Sequence, residues 1–441
     1  MVDDILNKVK EENVKFIDLE FTDIFGSLKS IEIPVNCLKD AIERGVWFDG
    51  SSIKGFARTK ESDMYLKPDI STYAVIPGDD EKKSARFICD VHTPDGKLFE
   101  DYPRAVLRKV VEEAKSLGYE FKVGPEVEFY LFKKKEDGSI AIPAFDSGSY
   151  FDSSAKDIGG DIRKEIMLSL ESFGIESERG HHEVGAGQHE IGFKYGDALK
   201  TADRVVTLKK IIKSTAHKHG LIASFMPKPL HGKPGSGMHV HFSIFDKGKA
   251  LFYDENDSHK LSTLAKQFIA GQLKYAREMC AIMNPTVSSY KRLVMGYEAP
   301  VYICWGSKNR SALVRIPRYT TGRESSTRAE LRCPDPSASP YLLFAAMLKA
   351  GLEGIKNNLE LMPEMDDSVY DLSLGELEKR GIELLPQSLK ESVDAFRKSD
   401  IMKELLGEDL FGKYAEAKQK ESEEFRQVVT DWEVERYLEK C

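Results

Sequence analysis

The sequence predicts an α+β protein in two parts, a small mixed-β domain followed by a larger α+β one. Three observations lead there. The chain has 441 residues, more than one hydrophobic core usually fills, so two domains are the default. Its early part alternates apolar and polar side chains with the two-residue period of strands. Later stretches repeat their apolar residues at helical spacing, with strand-like runs between them.

In chain order, Ile17, Leu19 and Phe21 alternate with Asp18, Glu20 and Thr22, and Ile31, Ile33 and Val35 alternate on the return. Positions 14–35 therefore read as a strand hairpin. Short strands and turns continue to about residue 100, where HTPDGKLFEDYPR, rich in Asp, Gly and Pro, marks a boundary. The expected domains are 1–102 and 103–441. Pro103 suits the first turn of a helix; Val106, Leu107, Val110, Val111, Ala114 and Leu117 follow at helical spacing, and Gly118 ends it. Similar helices are expected at 197–219, 261–283 and 339–357. Beyond about residue 360 the chain turns charged and helical through KELLGEDLFGKYAEAKQKESEEFRQ, which reads as a solvated helix face.

Composition narrows the class. With 64 basic and 72 acidic residues, a formal charge of −8 and no long basic stretch, nucleic acid and membrane surfaces are poor partners. The start, MVDDILNKVKEEN, is too charged for a signal peptide, and the apolar patch YLLFAAML is too short to span a bilayer. A soluble cytoplasmic protein is expected. Cys37, Cys89, Cys280, Cys304, Cys333 and Cys441 are dispersed without a C-x-x-C pair, as reduced thiols that mostly fill the core would be.

The chemistry gathers in GPEVEFY, HHEVGAGQHE, GSGMHVHFS, NRSALVRIP and RAELR. Residues i and i+2 of a strand share a face, so Glu126 with Glu128, His239 with His241, and Glu330 with Arg332 can each project into a common space. Two carboxylates about 4 Å apart repel by roughly 4 kcal/mol at an effective dielectric of 20. A cation or a proton must compensate them. Gly185 and Gly187 turn the chain between two short strands, which makes neighbours of Glu183 and Glu190 and crowds His181, His182 and His189 onto the same hairpin. Hard oxygen ligands with a single imidazole favour Mg²⁺ or Mn²⁺ over Zn²⁺.

GSGMHVH lacks the P-loop lysine and leads into a strand, so it is no Walker-type loop. Arg292, Arg310, Arg315, Arg328 and Arg332 lie within about forty residues and point to an anion. Beside an acidic metal site, that anion reads as a nucleotide phosphate chain. The residues alone indicate a metal-dependent, ATP-using enzyme, a ligase or a kinase.

FDGSS at 48–52, ESDM at 61–64, GPEVEF, HHEVGAGQHEI, GSGMHVH, YKRLVMGYEAP, NRSALVRIP and RAELRCPDPSASPY also occur in the order and spacing of type I glutamine synthetases. The chain resembles that family essentially from end to end. The resemblance implies a β-grasp-like N-terminal domain and a catalytic α+β domain whose antiparallel sheet lines the active site. It further implies ATP-dependent ligation of L-glutamate and ammonia to L-glutamine through γ-glutamyl phosphate. Two or more Mg²⁺ or Mn²⁺ ions per site would assist. Subunits would form a dodecamer of two stacked hexamers, with active sites between subunits.

By motif match, Glu128, Glu183 and Glu190 would hold the metal nearer glutamate, and Glu126, His239 and Glu330 the metal that orients the phosphates. Glu128 and His239 would also border the amino-acid substrate. Arg292 would take the α-carboxylate of glutamate, Gly235 would face its amino group, and Arg332 would meet its γ-carboxylate. Arg310 and Arg315 would contact the transferred phosphate. Tyr195, His241, Ser243 and Arg328 would complete the ATP side, Tyr195 packing on adenine. Asp49 would bind ammonium and remove its proton, and Glu298 would be the flap glutamate that shields the acyl phosphate from water.

Pro234 stands where the family commonly has asparagine, and Met295 where its flap usually has proline. Arg58 and the seven-residue step from Glu183 to Glu190 fit the shorter alpha subgroup, which is controlled by glutamine feedback and nitrogen-regulatory protein partners. Tyr370 superficially resembles the adenylylated tyrosine of the longer subgroup and reads as an ordinary surface or packing residue. A ligase joining glutamate to an amine, and a catalytically dead sensing homologue, are the rival functions. Intact DGSS and YEAP segments favour ammonia, and retention of every carboxylate ligand favours an active enzyme.

Overall fold

The alternating start of the chain does fold back on itself: β1 (Phe16–Thr22) pairs antiparallel with β2 (Leu28–Pro34), Ile17 opposite Ile33. In this computed structural model the described residues are 2–53, 63–78, 80–135, 140, 146–153, 156–297, 299–319, 321–365, 369, 372 and 374–441. Strands β3 (Val46–Asp49), β4 (Asp63–Pro68), β5 (Ala74–Ile76) and β6 (Ser84–His92) complete a six-stranded sheet ordered β2-β1-β6-β4-β3, with β5 on β6. The pairing of β1 with β6 is parallel, so this first sheet is mixed, as expected. Helices Val2–Glu11 and Leu38–Arg44, absent from the sequence expectations, bury Ile5, Val9, Leu38 and Ala41.

A second, ten-stranded sheet follows. It comprises β7 (Glu120–Lys133), β8 (Ser177–His182), β9 (Gln188–Phe193), β10 (Gly196–Asp197), β11 (Leu221–Ser224), β12 (Met238–Asp246), β13 (Lys249–Ala250), β14 (Tyr302–Gly306), β15 (Ala312–Arg315) and β16 (Ala329–Leu331). The main order is β14-β15-β16-β12-β7-β9-β8. Its pairs are antiparallel apart from the edge pair β14 and β15, which run parallel. On β7, Phe121, Val123, Val127 and Phe129 are buried in the core, which leaves the alternate face to Glu126 and Glu128.

Three of the four expected helices form where the sequence places them. Pro103 opens the helix Pro103–Ser116, and Gly118, at φ 82°, takes the left-handed conformation that ends it. Helices Ala198–Lys218 and Pro340–Lys356 fall where periodicity predicts them. The stretch at 261–283 is instead two helices, Thr263–Lys274 and Ala276–Met283, because Tyr275 leaves helical geometry at φ −99°, ψ 10°. The charged C-terminal part is helical at Leu389–Phe396, Asp400–Arg426 and Asp431–Tyr437, with a kink at Gly407. All six cysteines are free thiols, and Cys89, Cys280, Cys304 and Cys333 are buried. Among the described residues no helix is long and apolar enough to cross a membrane.

One charged residue ties the two sheets' layers together. Arg104, buried at the start of its helix, reaches Asp69 at 2.8 Å and Asp90 at 2.7 Å on the first-sheet side. On the other side it forks onto both oxygens of Asp203, in helix Ala198–Lys218, at 3.0 Å each. The Tyr341 hydroxyl donates to Asp203 at 2.7 Å, and Arg108 adds a second fork onto Asp90.

Candidate active site

Strand register assembles the site. Glu126 of β7 lies opposite His239 of β12, Glu128 opposite Glu190 of β9, and His241 opposite Glu330 of β16, which in turn faces Arg315 of β15. The apolar alternates Val127, Phe129, Val240, Phe242 and Leu331 are buried behind them. One sheet face is thereby driven into the core, and the other presents carboxylates and imidazoles to a cavity of about 970 Å³.

Two clusters divide that wall. In the first, His239 Nδ1 stands 3.7 Å from Glu126 and 3.6 Å from Glu330, and His241 Nε2 stands 3.2 Å from Glu126. Glu126, His241 and Glu330 have atoms close enough to hold one ion. Arg328 Nε donates to His241 Nδ1 at 3.2 Å, however, so that ring carries its hydrogen on Nε2, aimed at Glu126. His239 Nδ1 faces both Glu126 and Glu330. Glu330 is 1% exposed and is held by Arg315 at 2.9 Å and by Arg332. Burial pushes both acids up, but His239 and His241 outweigh it at Glu126, and Arg332 then His239 outweigh it at Glu330. Both carboxyls stay below the ordinary range.

The second cluster lacks such compensation. His181, Glu183 and Glu190 place ligand atoms within 4.8 Å of one another, with His181 Nε2 2.8 Å from Glu183. Glu128 Oε2 accepts from the Gly237 N–H at 2.9 Å and from Gln188 Nε2 at 3.0 Å. Burial, then the charge of Glu183, pushes Glu128 well above the ordinary carboxylate value. Burial, then Glu126 and Glu128, does the same to Glu190. Oxygen-rich groups that repel one another around a cavity are the donor set a hard divalent cation fits. Arg179, 60% exposed on β8, reaches in to contact Glu126 and stands 3.9 Å from Glu190.

The remaining expected residues fall into three places. Tyr195, Ser243, Arg310, Arg315, Arg328 and Arg332 line the cavity with the acids. Tyr195 is 51% exposed and lies roughly parallel to Phe245, at 6.4 Å and 25°, while Ser243 already donates to the Thr327 carbonyl at 3.0 Å. Arg292 and Gly235 sit just behind the lining. The buried Arg292 donates to the carbonyls of Cys333 at 2.6 Å and Arg332 at 3.1 Å. A Cβ at position 235 would lie 2.8 Å from the Arg292 side chain, so glycine lets the loop rest on it. That loop is tied through its backbone, since Tyr130 donates to the Pro234 carbonyl and Gln188 to the Gly235 carbonyl. Asp49 ends β3, exposed, with its Oδ1 accepting from Ser51 N–H at 2.8 Å, and does not line the cavity of its own chain. Arg58, Glu298 and Tyr370 lie outside the described residues.

Of the three histidines expected on the hairpin, only His181 faces the cavity. His182 and His189 pair across β8 and β9 and are fully buried beneath it. Burial, then Arg163, lowers His189 to about 3, so this ring stays neutral. Sequence reasoning missed Arg179, Gln188 and Tyr130. Gln188 stands inside HHEVGAGQHE, but its amide cannot ionise and gives no charge signal in the sequence.

The chain matches the family described as "Glutamine synthetase, catalytic domain" over residues 100–437. It matches "Glutamine synthetase, beta-Grasp domain" over 13–94. It is 49% identical to the glutamine synthetase of Clostridium saccharobutylicum over 439 residues, covering 99% of this chain and 98% of that protein. Against that of Methanosarcina mazei the identity is 49% over 437 residues, covering 99% and 97%. Among solved structures it is similar to a GmaS/ADP complex, with 31% identity, a TM-score of 0.90 and 100% of each chain covered. A cryo-EM structure of Plasmodium falciparum glutamine synthetase superposes with a TM-score of 0.89 at 27% identity, covering 99% and 98%.

Proposed function

Because this chain belongs to the glutamine synthetase family and joins L-glutamate to ammonia with ATP, we propose a division of labour among the groups of its cavity. Glu128, Glu183 and Glu190 hold one divalent ion, and Glu126, His239 and Glu330 another, with Mg²⁺ or Mn²⁺ as the fitting metal. Bound there, such ions neutralise the carboxylates and draw charge from phosphate oxygens.

The chain's own groups do the rest. Tyr195 offers its exposed ring face to adenine, and His241, Ser243 and Arg328 border the nucleotide. Arg292 and Gly235 orient the α-carboxylate and amino group of glutamate. Arg332 and Glu128 direct the γ-carboxylate at the terminal phosphoryl group, and Arg310 and Arg315 offset the charge that moves during its transfer. Glu298 closes over the γ-glutamyl phosphate. Asp49 attracts ammonium and accepts its proton, after which ammonia displaces phosphate.

In this reading Asp49 acts on the cavity of a neighbouring subunit in a dodecamer of two stacked hexamers. That Asp49 does not line the cavity of its own chain supports this. The division of the chain at 102/103, membership of the shorter type I subgroup, a cytoplasmic location, glutamine feedback through Arg58 and regulation by partner proteins belong to the same proposal. The observation that carries the site assignment is the concentration of glutamates from β7, β9 and β16, with Glu183 of the turn, on one cavity wall. Purified protein given glutamate, ATP and Mg²⁺, with ammonium offered against several amines, tests the reading. Ammonium-dependent glutamine formation is expected; an amide formed only from an amine would overturn it. Mixed rings of inactive Asp49→Asn and Glu330→Ala subunits should recover activity, and persistent inactivity in verified mixed rings would remove Asp49 from a shared site.

A further inference from the structure

Beneath the turn that carries Glu183 lies a polar cluster that the chemistry above does not use. The side chains of Asp146, His182 and His189 are 1%, 0% and 0% exposed. Their neighbours decide where the ring hydrogens lie. Arg163 Nη1 donates to His189 Nδ1 at 2.8 Å, so this imidazole carries its hydrogen on Nε2. His182 Nδ1 lies 2.6 Å from the carbonyl oxygen of Glu183, which can only accept, so Nδ1 donates there. The opposite nitrogen, His182 Nε2, lies 3.0 Å from Asp146 Oδ1.

These three residues gather with the spacing of metal ligands, but His189 turns an N–H toward Asp146 Oδ2, 4.0 Å away, and so has no lone pair for a cation. The cluster has the form of a brace. Asp146 Oδ1 also accepts from the Gly187 N–H at 2.6 Å and from Gly148 N–H at 3.2 Å. His182 accepts at its backbone carbonyl from Phe151 N–H at 3.0 Å. The slot is shaped for the rings, because a Cβ on Gly148 would come within 2.5 Å of His182 Nε2 and one on Gly159 within 2.6 Å of His189.

We infer that Asp146 is a positioning residue for the metal-binding turn. It grips the turn at both ends, through the His182 ring and the Gly187 N–H. The His182 ring in turn holds the carbonyl of Glu183, whose N–H is spent on the Gln188 carbonyl at 2.8 Å. Both backbone groups of Glu183 are thus fixed, and its carboxylate is aimed into the cavity beside His181 and Glu190. Partners one shell removed from a metal commonly set its affinity in this way.

The inference rests on Glu183 being a ligand, so the test separates the two claims. Mn²⁺ binding to the full-length protein, without substrates, is measured by calorimetry for wild type, Asp146→Ala, Glu183→Gln and the double variant. Asp146→Ala should weaken binding by about 10- to 100-fold. The double variant should bind no more weakly than Glu183→Gln, because a positioning residue has nothing left to position. Effects that multiply would overturn the role, as would unchanged affinity in Asp146→Ala while Glu183→Gln is weakened. Unchanged affinity in Glu183→Gln would overturn the ligand assignment, and the role with it. If alanine prevents folding, Asp146→Asn carries the same cycle, since its amide oxygen still accepts from Gly187. Loss of folding in both variants would show that the cluster serves stability alone and overturn the inference.

Discussion

The joint around Arg104 and the wall of the cavity both bury several carboxylates, yet the two regions treat them in opposite ways. At the joint, Asp69, Asp90 and Asp203 surround one guanidinium at 2.8, 2.7 and 3.0 Å, and Arg108 adds another. Burial pushes Asp69 up, but hydrogen bonds from Ser71 and Arg104 outweigh it and hold its carboxyl low. In the cavity, Glu128 and Glu190 find too little positive charge within the chain and are pushed up. Carboxylates that cations of the chain match stay low, as Glu126 and Glu330 on the cavity wall also do, whereas Glu128 and Glu190 are left open to cations from outside.

The largest expected effect tests the unmatched side. Glu128→Gln should lower ATP-dependent glutamine formation by about 1,000-fold or more, a barrier change of about 4 kcal/mol. Its unfolding midpoint in chelator should hold or rise, since glutamine removes a proton that the folded chain retains and the unfolded chain releases, while an acceptor for Gly237 remains. Normal turnover at saturating Mg²⁺ would break the comparison.

Arg104→Met tests the matched side. It removes the cation shared by Asp69, Asp90 and Asp203 while Arg108 stays on Asp90, and breaking a buried pair costs about 3–5 kcal/mol, to be read from urea unfolding. A loss below about 1 kcal/mol, the scale of an exposed ion pair, would show that the joint is not held by charge.

Divalent metal should sharpen the contrast. At about 100 times its dissociation constant Mn²⁺ should stabilise wild type by about 2.7 kcal/mol, an increment that Arg104→Met keeps and Glu128→Gln reduces. The raised acids also set a pH dependence. With chelator, the unfolded chain releases the protons of Glu128 and Glu190 near the ordinary glutamate value of about 4.3, while the folded chain retains them. Stability should therefore fall as pH rises from there. Saturating Mn²⁺ should flatten that fall; a slope unaffected by metal would detach these acids from the metal site.

Asp69→Asn should give the smallest effect. Its carboxyl is depressed in the folded state, so its contribution is present above the unfolded value of about 3.9 and is lost as pH falls through the folded one. Being partly exposed, it should contribute about 1 kcal/mol or less. The difference between wild type and variant should vanish in acid; if it persists there, packing and not charge holds Asp69.

Much of this was legible in the primary structure. Alternation places Glu126 and Glu128 on one face of β7, and Pro103 and Gly118 bound a helix as expected. The hairpin of His181, His182 and His189 was legible only as a group. Pairing of His182 with His189, and of His181 with Glu190, sends two rings into the core and one into the cavity. The break at Tyr275 carried no signal in the apolar spacing.

By itself the sequence determined which residues share a strand face and where helices begin and end, because side-chain direction follows from backbone geometry a few residues long. Only the tertiary structure decided which cation meets which carboxylate. Asp203 lies 99 positions from Arg104, and His182 lies 36 from Asp146. Attraction between charges depends on distance through space and on how much water is excluded between them, and neither quantity exists until the chain has folded.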